Sequence, residues 1–428
     1  MTGTTVYNRA MYPTFLGCLC AVVLSLVAGQ GSGGINAPHH LDTPYLIVVS
    51  LDGFKPAYLD RYDLPNLRRV AVRGVRARGM VPVFPTLTFP NHYSLVTGLR
   101  PTRHGIVSNT FWDARRAQQY AISDETAVRD GAWYGGEPIW VTAERQGMVA
   151  ACFSWPGSEA AIKGVRPTFS RAYDGTVPNS VRVQTVIDWL RLPTERRPHV
   201  ITLYFSDTDT AGHDGPLDSP RVEEAARSVD IAIGSLLDGV DALSIHSRVN
   251  LLITSDHGMV ETTLAQTVAL DTLLGPEHIS EVSRSFGGPV ASLHVRGGMP
   301  RAAAIRDAIN AKLRHGRAYL RRELPERFHY RTNPRAGDVV VVMEESWTMR
   351  ISDRPESHPE RRGMHGWDNR LPSMRATFLA MGPRIRRGAT IGDVRNIDVY
   401  PLMAELLGLR AAPGIDGRAG RIWRMIRR

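Results

Sequence analysis

The sequence is poor in cysteine, with three cysteines among 428 residues, and this excludes a fold that depends on a framework of disulfide bonds. Cys18 and Cys20 lie in the apolar N-terminal segment, so a processed chain would keep Cys152 alone. Cys152 stands next to Phe153 and is predicted to be a small core residue and not a nucleophile. Stability is therefore expected from a packed core, together with any bound metal.

Long apolar runs are also scarce, and none after residue 28 approaches the length of a membrane-spanning helix. The run at residues 15–28 follows Arg9, carries no charge and is short for a membrane span. We interpret residues 1–28 as a signal peptide and residues 29–43 as a linker, which predicts a periplasmic or secreted protein without a stable membrane span. An uncleaved anchor and a lipoprotein signal at Cys18 are the alternatives, although Cys18 begins the apolar run and does not follow it.

Lysine is nearly absent, at positions 55, 163 and 312 only, so arginine supplies most of the formal net charge of +10. This charge favours anionic substrates or surfaces, and a coding bias in a bacterial genome explains it as well. Aromatic residues make up 7% of the chain and do not alternate with a basic stripe. No nucleic-acid partner is therefore expected, and a small-molecule substrate is.

Four short runs are nearly continuous in apolar residues, as expected for parallel strands buried on both faces. They span residues 45–51, 200–205, 249–255 and 376–381. Apolar residues recur every three or four positions at Val222, Ala226, Val229, Ile233 and Leu236, and again at Val399, Leu402, Met403 and Leu406 before Gly408. This alternation predicts an α/β domain over residues 44–428, with helices on both faces of a mostly parallel sheet.

Residues 265–362 have a different pattern. Strands are predicted at residues 290–295 and 338–343, a helix at residues 301–315, and loops rich in arginine and proline follow. We interpret this stretch as a smaller α+β insertion in the main domain and not as an independent domain.

Acidic and imidazole side chains stand where the predicted strands begin or end. They are Asp52, the group Asp207, Asp209 and His213, the pair Asp256 and His257, and His365. In open α/β sheets ligands gather at the carboxyl ends of the strands, so these side chains are expected to converge. Carboxylate oxygens and imidazole nitrogens suit Zn²⁺, and a cluster of aspartates without a cation is costly. The pattern predicts a zinc site.

A candidate nucleophile lies in the segment Pro85-Thr-Leu-Thr-Phe-Pro-Asn-His92. Pro90 suits the first turn of a helix, which places Thr88 at the helix N-terminus. There the helix dipole and a bound zinc ion would favour an alkoxide. On spacing alone, Thr88 as a simple N-cap and Thr86 as the nucleophile both remain open.

Eight segments, taken together and in this order, closely resemble the nucleotide pyrophosphatase/phosphodiesterases of the alkaline phosphatase superfamily. The likeness runs over residues 45–409, and the segments are Ser50-Leu-Asp-Gly-Phe54, Thr88-Phe-Pro-Asn-His-Tyr93, Val96-Thr-Gly98, His104-Gly-Ile-Val-Ser-Asn109, Trp155-Pro-Gly-Ser-Glu159, Asp209-Thr-Ala-Gly-His213, Ser255-Asp-His-Gly-Met259 and His365-Gly-Trp-Asp-Asn369. The resemblance implies an alkaline-phosphatase-like core. Without the cysteine-rich and nuclease-like appendages of vertebrate members, the chain resembles the compact bacterial members.

The resemblance also assigns site residues around two Zn²⁺ ions. Thr88, which precedes Phe-Pro-Asn, is implied as the nucleophile in place of Thr86, and Asn109 as the donor to a non-bridging phosphoryl oxygen. The implied ligands are Asp209, His213 and His365 for one ion, and Asp52, Asp256, His257 and the Thr88 hydroxyl for the other. Thr208 stands where the family usually has proline, and His365 is followed by Gly-Trp, but neither departure removes a ligand.

The implied reaction is hydrolysis of nucleotide phosphodiester or pyrophosphate bonds, which releases nucleoside 5′-monophosphates through a phosphothreonine intermediate. Phe89 and Tyr204 are expected to hold the base between them, and Trp155 and Tyr173 to line the same pocket. Glu159 would contact a base edge or cap a turn.

Three other functions are alternatives to nucleotide hydrolysis. A lysophospholipid or glycerophosphodiester hydrolase would share every ligand, a sulfatase or monoesterase fits the threonine less well, and an inactive binding protein is disfavoured because all seven ligands are present. Among the remaining histidines, His92 and His104 are expected to be structural, and His199 to lie at the surface or in a loop.

Overall fold

The computed structural model describes residues 34–352, 359–420 and 422, and the elements named below belong to these ranges. The predicted signal peptide at residues 1–28 lies outside the described residues, as do parts of the predicted linker and insertion. Throughout the described ranges, each helix is too short or too polar to cross a bilayer.

The strands are short, and several match the predicted runs closely. They are β1 (Tyr45–Leu51), β2 (Val75–Ala77), β3 (Met80–Val81), β4 (Thr110–Asp113), β5 (Gln118–Ala121), β6 (Ala150–Phe153), β7 (Phe169–Arg171), β8 (Val200–Phe205), β9 (Val249–Thr254), β10 (Val260–Thr263), β11 (Thr267–Ala269), β12 (Val282–Phe286), β13 (Val290–Val295), β14 (Gly316–Leu320), β15 (Val339–Met343), β16 (Thr348–Arg350), β17 (Arg361–Met364), β18 (Phe378–Met381), β19 (Ala389–Ile391) and β20 (Val394–Arg395). The predicted strands at residues 45–51, 200–205 and 290–295 are confirmed to the residue.

The helices include both that the apolar periodicity predicted. They are α1 (Tyr58–Arg61), α2 (Pro65–Arg73), α3 (Thr88–Thr97), α4 (Pro101–His104), α5 (Glu125–Arg129), α6 (Ile139–Arg145), α7 (Asn179–Arg191), α8 (Asp207–His213), α9 (Pro220–Asp241), α10 (Leu270–Leu273), α11 (Pro276–Glu281), α12 (Gly298–Lys312) and α13 (Val399–Leu407). Gly408 ends α13 with a φ of 66°, a left-handed conformation that glycine adopts without strain.

An eight-stranded sheet forms the centre of the fold, in the order β19-β2-β18-β9-β1-β8-β6-β7. Five neighbouring strands, from β9 to β7, run parallel. The predicted mostly parallel sheet with helices on both faces is therefore confirmed.

The direction of β18 differs from the prediction. The run at residues 376–381 was expected to form a parallel strand, but β18 pairs antiparallel with both β9 and β2. Its residues are nonetheless buried because β18 lies inside the sheet with both faces covered. An apolar run reports this burial and carries no information on strand direction.

Side chains from β1 alternate between two apolar cores, one on each face of the sheet. Tyr45, Ile47 and Val49 pack in one core with residues of α2, α7 and α9, whereas Leu46 and Val48 pack in the other with residues of α3, α6 and α13. Cys152 is fully buried in the second core, which confirms its prediction as a core residue.

Residues 265–362 contain a second, antiparallel sheet in the order β12-β13-β15-β14, with α12 packed against it. The helix starts and ends three residues earlier than predicted, at Gly298 and Lys312. The interpretation of this stretch as an insertion within one catalytic domain, over residues 44–428, stays a prediction.

A buried ion pair connects this stretch to the main domain. Arg335 donates from Nε to Asp113 Oδ2 at 2.7 Å, and from one terminal nitrogen to the carbonyls of Gly105 and Trp133 at 2.9 and 3.0 Å. Both side chains are buried. The pair thus fixes both ends of residues 105–113, the segment that carries Asn109.

We expect Arg335→Met to lower the free energy of unfolding by about 3–5 kcal/mol, because it leaves the buried Asp113 carboxylate without its partner. Denaturant unfolding followed by circular dichroism measures the loss. The double variant Arg335→Met/Asp113→Leu removes both charges and should recover part of it. A loss under about 1 kcal/mol in the single variant would contradict this account.

Candidate metal centre and active site

The predicted metal ligands converge at one edge of the central sheet. Asp52 follows β1, Asp209 lies in α8 directly after β8, and Asp256 with His257 follows β9. Because β9, β1 and β8 are parallel neighbours, their carboxyl ends meet at this edge. The strand order therefore brings together side chains that are far apart in the sequence.

His365 reaches the same edge by two routes. It follows β17, which pairs antiparallel with β10 so that Met364 lies opposite Val260, three residues after His257. It also precedes β18, whose antiparallel direction puts the start of that strand at the carboxyl edge of β9. The rings of His257 and His365 stack with centroids 3.5 Å apart.

Two adjacent groups of donor atoms result. In the first, Asp209 Oδ1 lies 3.4 Å from His213 Nε2 and 3.6 Å from His365 Nε2, and these two nitrogens are 3.1 Å apart. In the second, His257 Nε2 lies 2.9 Å from Asp256 Oδ2 and 3.4 Å from Asp52 Oδ1. His257 also lies close enough to Asp209 and His365 to share a metal ion with them.

The orientation of the imidazoles fits metal binding. His213, His257 and His365 each place Nδ1 within 2.9–3.1 Å of a backbone carbonyl, from Gly363, Gly258 and Thr86 respectively. A carbonyl only accepts hydrogen bonds, so each Nδ1 carries a proton and Nε2 is left as the atom that can bind a metal. For His213 and His365, two such nitrogens face each other at 3.1 Å, an arrangement that a cation stabilises.

The carboxylates show the same preference. One oxygen of Asp52 accepts a hydrogen bond from the Tyr204 hydroxyl at 2.5 Å, and one oxygen of Asp256 accepts from Gly53 N at 3.2 Å. Asp52 Oδ1, Asp256 Oδ2 and Asp209 Oδ1 are buried and accept no hydrogen bond within the described ranges. Carboxylate oxygens and imidazole nitrogens are the ligand atoms that Zn²⁺ prefers.

Burial and close charges shift the pKa values of the clustered carboxyl and imidazole groups. Burial raises the pKa of Asp52 well above its usual range, and the carboxylates of Asp256 and Asp209 raise it further. Burial lowers the pKa of His365 well below its usual value, and His257 and His213 lower it further, so this ring is neutral. Burial opposes ionisation of Asp256, but the imidazoles of His257 and His92 outweigh it and lower the pKa of that carboxyl.

Geometry distinguishes the two candidate threonines. Thr88 is the first residue of α3 and is not its N-cap, which is Leu87. Thr88 Oγ1 lies 3.4 Å from His257 Nε2 and lines a cavity of about 410 Å³. Thr86 is fully buried, donates to the Trp367 carbonyl at 3.1 Å and accepts from Gly366 N at 3.0 Å, so its hydroxyl is already engaged.

Asn109 lies at the same helix terminus. Its Oδ1 accepts a hydrogen bond from Phe89 N at 3.0 Å, next to Thr88. Because the oxygen is used in this way, the carboxamide keeps its NH₂ group as the donor available to another ligand.

All four predicted substrate-binding residues line the cavity above Thr88. Phe89 is half-buried and Tyr173 is 51% exposed, whereas Tyr204 and Trp155 are only 7% and 1% exposed. The Tyr204 hydroxyl is bonded to Asp52, and its ring packs edge-on against Tyr173 at 5.8 Å. Phe89 and Tyr173 are therefore the most accessible aromatic rings here, and the pairing of Phe89 with Tyr204 stays a prediction.

Several cavity residues were missed by sequence reasoning. Ile122, Ser123, Val128 and Arg129 form part of the wall and belong to no recognisable motif. Glu159, expected at a base edge or a turn, accepts from Tyr173 N at 3.0 Å and pairs with Arg129 Nε at 3.2 Å. Glu159 itself lines the cavity, and its carboxylate connects Arg129 to the backbone of Tyr173.

His92 and His104 agree with expectation, and His199 does not. His92 contacts Ser50 Oγ and the Thr88 carbonyl, and His104 contacts Ser94 Oγ, so both are structural as predicted. His199 was expected at the surface but is fully buried, stacked on Tyr45 with ring centroids 4.4 Å apart. A single histidine has no pattern that reports such stacking.

Comparison with known proteins agrees with this arrangement. Residues 46–368 match the family model described as type I phosphodiesterase/nucleotide pyrophosphatase. A venom phosphodiesterase of Crotalus durissus collilineatus is 36% identical over 405 residues, which cover 91% of this chain and 47% of the relative. An uncharacterised pyrophosphatase/phosphodiesterase of Schizosaccharomyces pombe is 33% identical over 407 residues, 92% of this chain and 82% of that protein. The chain thus spans about half the length of the venom enzyme.

Among solved structures, an inactive variant of murine ectonucleotide pyrophosphatase/phosphodiesterase 5 in complex with AMP superposes with a TM-score of 0.82. It is 31% identical, and the match covers 90% of this chain and 100% of that one.

We expect the purified protein to hold two zinc ions per chain, measured by inductively coupled plasma mass spectrometry, because the ligands form two adjacent donor groups. Removing the metal with a chelator should lower the melting temperature, since the buried carboxylates then repel one another. His365→Ala should lower both the metal content and the stabilisation by added zinc. His246→Ala, at an exposed histidine, is the control, and equal metal content in the two variants would refute the assignment.

Proposed function

The chain belongs to the type I phosphodiesterase/nucleotide pyrophosphatase family, and on that premise we propose that it hydrolyses phosphodiester or pyrophosphate bonds of nucleotides and releases nucleoside 5′-monophosphates. One observation carries the proposal. The Thr88 hydroxyl stands beside His257, where the two donor groups meet, and lines a cavity with accessible aromatic rings. A nucleophile, a place for cations and a surface for a base are thus combined in one site.

The names of similar proteins support the same reaction class. The relatives are called phosphodiesterases or pyrophosphatases, and the murine relative was solved with AMP as an inactive variant with one threonine replaced by alanine. AMP is a nucleoside monophosphate, the product class that we propose. Loss of activity on removal of a threonine is consistent with a threonine nucleophile.

We assign two Zn²⁺ ions to the centre. Asp209, His213 and His365 would hold one ion, and Asp52, Asp256 and His257 the other, next to Thr88. When bound, a pair of such ions supplies Lewis-acid stabilisation of the entering and leaving oxygens in an in-line displacement. Tyr204 holds Asp52 in place through its hydrogen bond to Oδ2.

The residues of the chain define the remaining steps. Thr88 Oγ attacks phosphorus, its position at the N-terminus of α3 favours the negative charge, and the alcohol or phosphate leaves on the opposite side. The resulting phosphothreonine intermediate still carries the nucleoside, and water hydrolyses its bond to Thr88 Oγ, which releases the nucleoside 5′-monophosphate. The Asn109 NH₂ group donates to a non-bridging oxygen and, being uncharged, suits the single negative charge of a diester better than an arginine would.

We also propose that the protein is exported and that it is related to the compact bacterial members of the family. Export to the periplasm or the medium depends on the signal peptide predicted at residues 1–28. Its support is that related proteins are named venom enzymes and ectoenzymes. The relatives compared above are eukaryotic, so they do not bear on a bacterial origin.

Thr88→Ala should lower kcat for a nucleoside 5′-(p-nitrophenyl) phosphate by at least about 10³-fold, because the attacking oxygen is gone. Thr88→Ser is the matched control and should keep measurable activity, since it retains the hydroxyl. Wild type that is acid-quenched during turnover of this ester should carry a nucleoside 5′-phosphoryl group on Thr88, detectable by mass spectrometry. An alanine variant as active as the wild type, with the same metal content, would eliminate this nucleophile.

The wild type should hydrolyse p-nitrophenyl thymidine 5′-phosphate with a higher kcat/KM than p-nitrophenylphosphocholine, because Phe89 and Tyr173 offer stacking surface to a base. Base stacking contributes about 1–3 kcal/mol, so the preference should reach about fivefold to a hundredfold. Both esters release the same chromophore. Faster turnover of the choline ester would favour the lysophospholipid and glycerophosphodiester alternative, which uses the same ligands.

A further inference from the structure

An exposed loop carries one wall of the cavity. Residues 172–178 connect β7 to α7, and residues 172–176 are all exposed. Tyr173 in this loop places its ring edge-on to Tyr204 and its hydroxyl 3.3 Å from Ser206 Oγ. An exposed loop is expected to be mobile, so a fixed position for Tyr173 requires an anchor.

Arg182, in the first turn of α7, provides that anchor. Its guanidinium donates to the carbonyls of Asp174 at 2.7 Å, Val177 at 3.1 Å and Tyr204 at 3.1 Å. The first two belong to the loop and the third to β8. One side chain therefore fixes the distance between the Tyr173 loop and the strand that carries Tyr204.

The burial of Arg182 distinguishes it from a surface arginine. The residue is 2% exposed and lies over the ring of Phe153. Within the described ranges its guanidinium forms no ion pair with a carboxylate, so three backbone carbonyls are the partners that compensate its burial. Hydrogen bonds from a charged donor are stronger than those between neutral groups, so these contacts hold the loop firmly to β8.

Glu159 forms a second contact with the loop, at its start. Glu159 accepts from Tyr173 N at 3.0 Å, and Arg129 Nε holds the other oxygen of that carboxylate at 3.2 Å. The loop is thus attached at its start by Glu159 and along its length by Arg182. Neither contact involves a metal ligand.

We propose that Arg182 is a positioning residue that sets the substrate preference of the site by holding Tyr173 against the base of a bound nucleotide. This inference rests on the proposed function. Arg182 does not touch the substrate and acts through the backbone of Asp174, Val177 and Tyr204. Its loss removes one donor from each of three carbonyls and detaches the loop from β8, with the Glu159 contact to Tyr173 N left in place, while the metal ligands and Thr88 keep their places.

The test compares two substrates with the same leaving group, one with a base and one without. Arg182→Met should raise KM for p-nitrophenyl thymidine 5′-phosphate about tenfold with kcat within about twofold, a loss within the range of base stacking. KM for p-nitrophenylphosphocholine, which has no second aromatic ring, should stay within about twofold. Tyr173→Ala should produce the same pattern, and the double variant should add nothing to it, because both changes remove one contact.

Arg248→Met is the matched control. Arg248 also donates to two backbone carbonyls, those of Leu41 and Thr43 at 2.9 Å, but it precedes β9 and so lies at the opposite edge of the sheet. It should leave the ratio of the two KM values unchanged. If Arg182→Met does not fold, Arg182→Lys keeps the buried cation with fewer donors and should shift the ratio in the same direction by a smaller factor.

The outcomes separate this inference from the function on which it rests. If the wild type hydrolyses the choline ester but not the nucleoside ester, both are overturned. If it hydrolyses both and neither Arg182 variant changes the KM ratio, the positioning role is overturned and the proposed function stands. A change that is equal for both substrates would mark Arg182 as merely structural and would also overturn the proposal.

Discussion

The concentration of negative charge at one edge of the sheet is the constraint on which the rest of the site depends. In the part of the chain that the structure describes, three aspartates place a buried oxygen there without a hydrogen-bond donor, and imidazole nitrogens face them. Such a cluster opposes folding unless cations neutralise it, because desolvated like charges repel strongly at short range. Cation binding and folding are therefore linked in this chain, and the binding energy offsets the strain of assembling the centre.

The topology of the sheet explains how a chain of this length assembles such a centre. Parallel neighbours β9, β1 and β8 deliver three ligand-bearing segments to the same edge. The antiparallel strand β18 then adds His365 from the preceding segment, which a parallel strand in its place would have put at the far edge. The one reversed strand beside β9 is thus a requirement of the site and not a departure from the architecture.

Much of this was predictable, and the failures have physical reasons. Strands β1 and β8 and the ligand-bearing segments follow from apolar runs that end in acidic residues, since burial and charge are both local properties of the sequence. The direction of β18 and the burial of His199 depend on partners distant in the sequence. Thr86 and Thr88 have similar surroundings in the sequence. In the structure, Thr86 is engaged by hydrogen bonds to Trp367 and Gly366, whereas Thr88 lies beside His257 and lines the cavity. Arg182 left no signal because its partners are backbone carbonyls, which every residue has.

Two parts of the cavity are held in place by different forces. The metal centre is built from side chains at strand ends, so a change in any ligand alters the charge balance of the whole cluster. The wall that would contact the base consists of an exposed loop, attached by Glu159 and by one buried guanidinium. Changes in the loop leave the buried charges untouched, so substrate preference is free to vary while the phosphoryl-transfer chemistry stays fixed. Membership of the family therefore constrains the reaction more tightly than the substrate, and the residues behind the loop carry information that the ligand motifs do not.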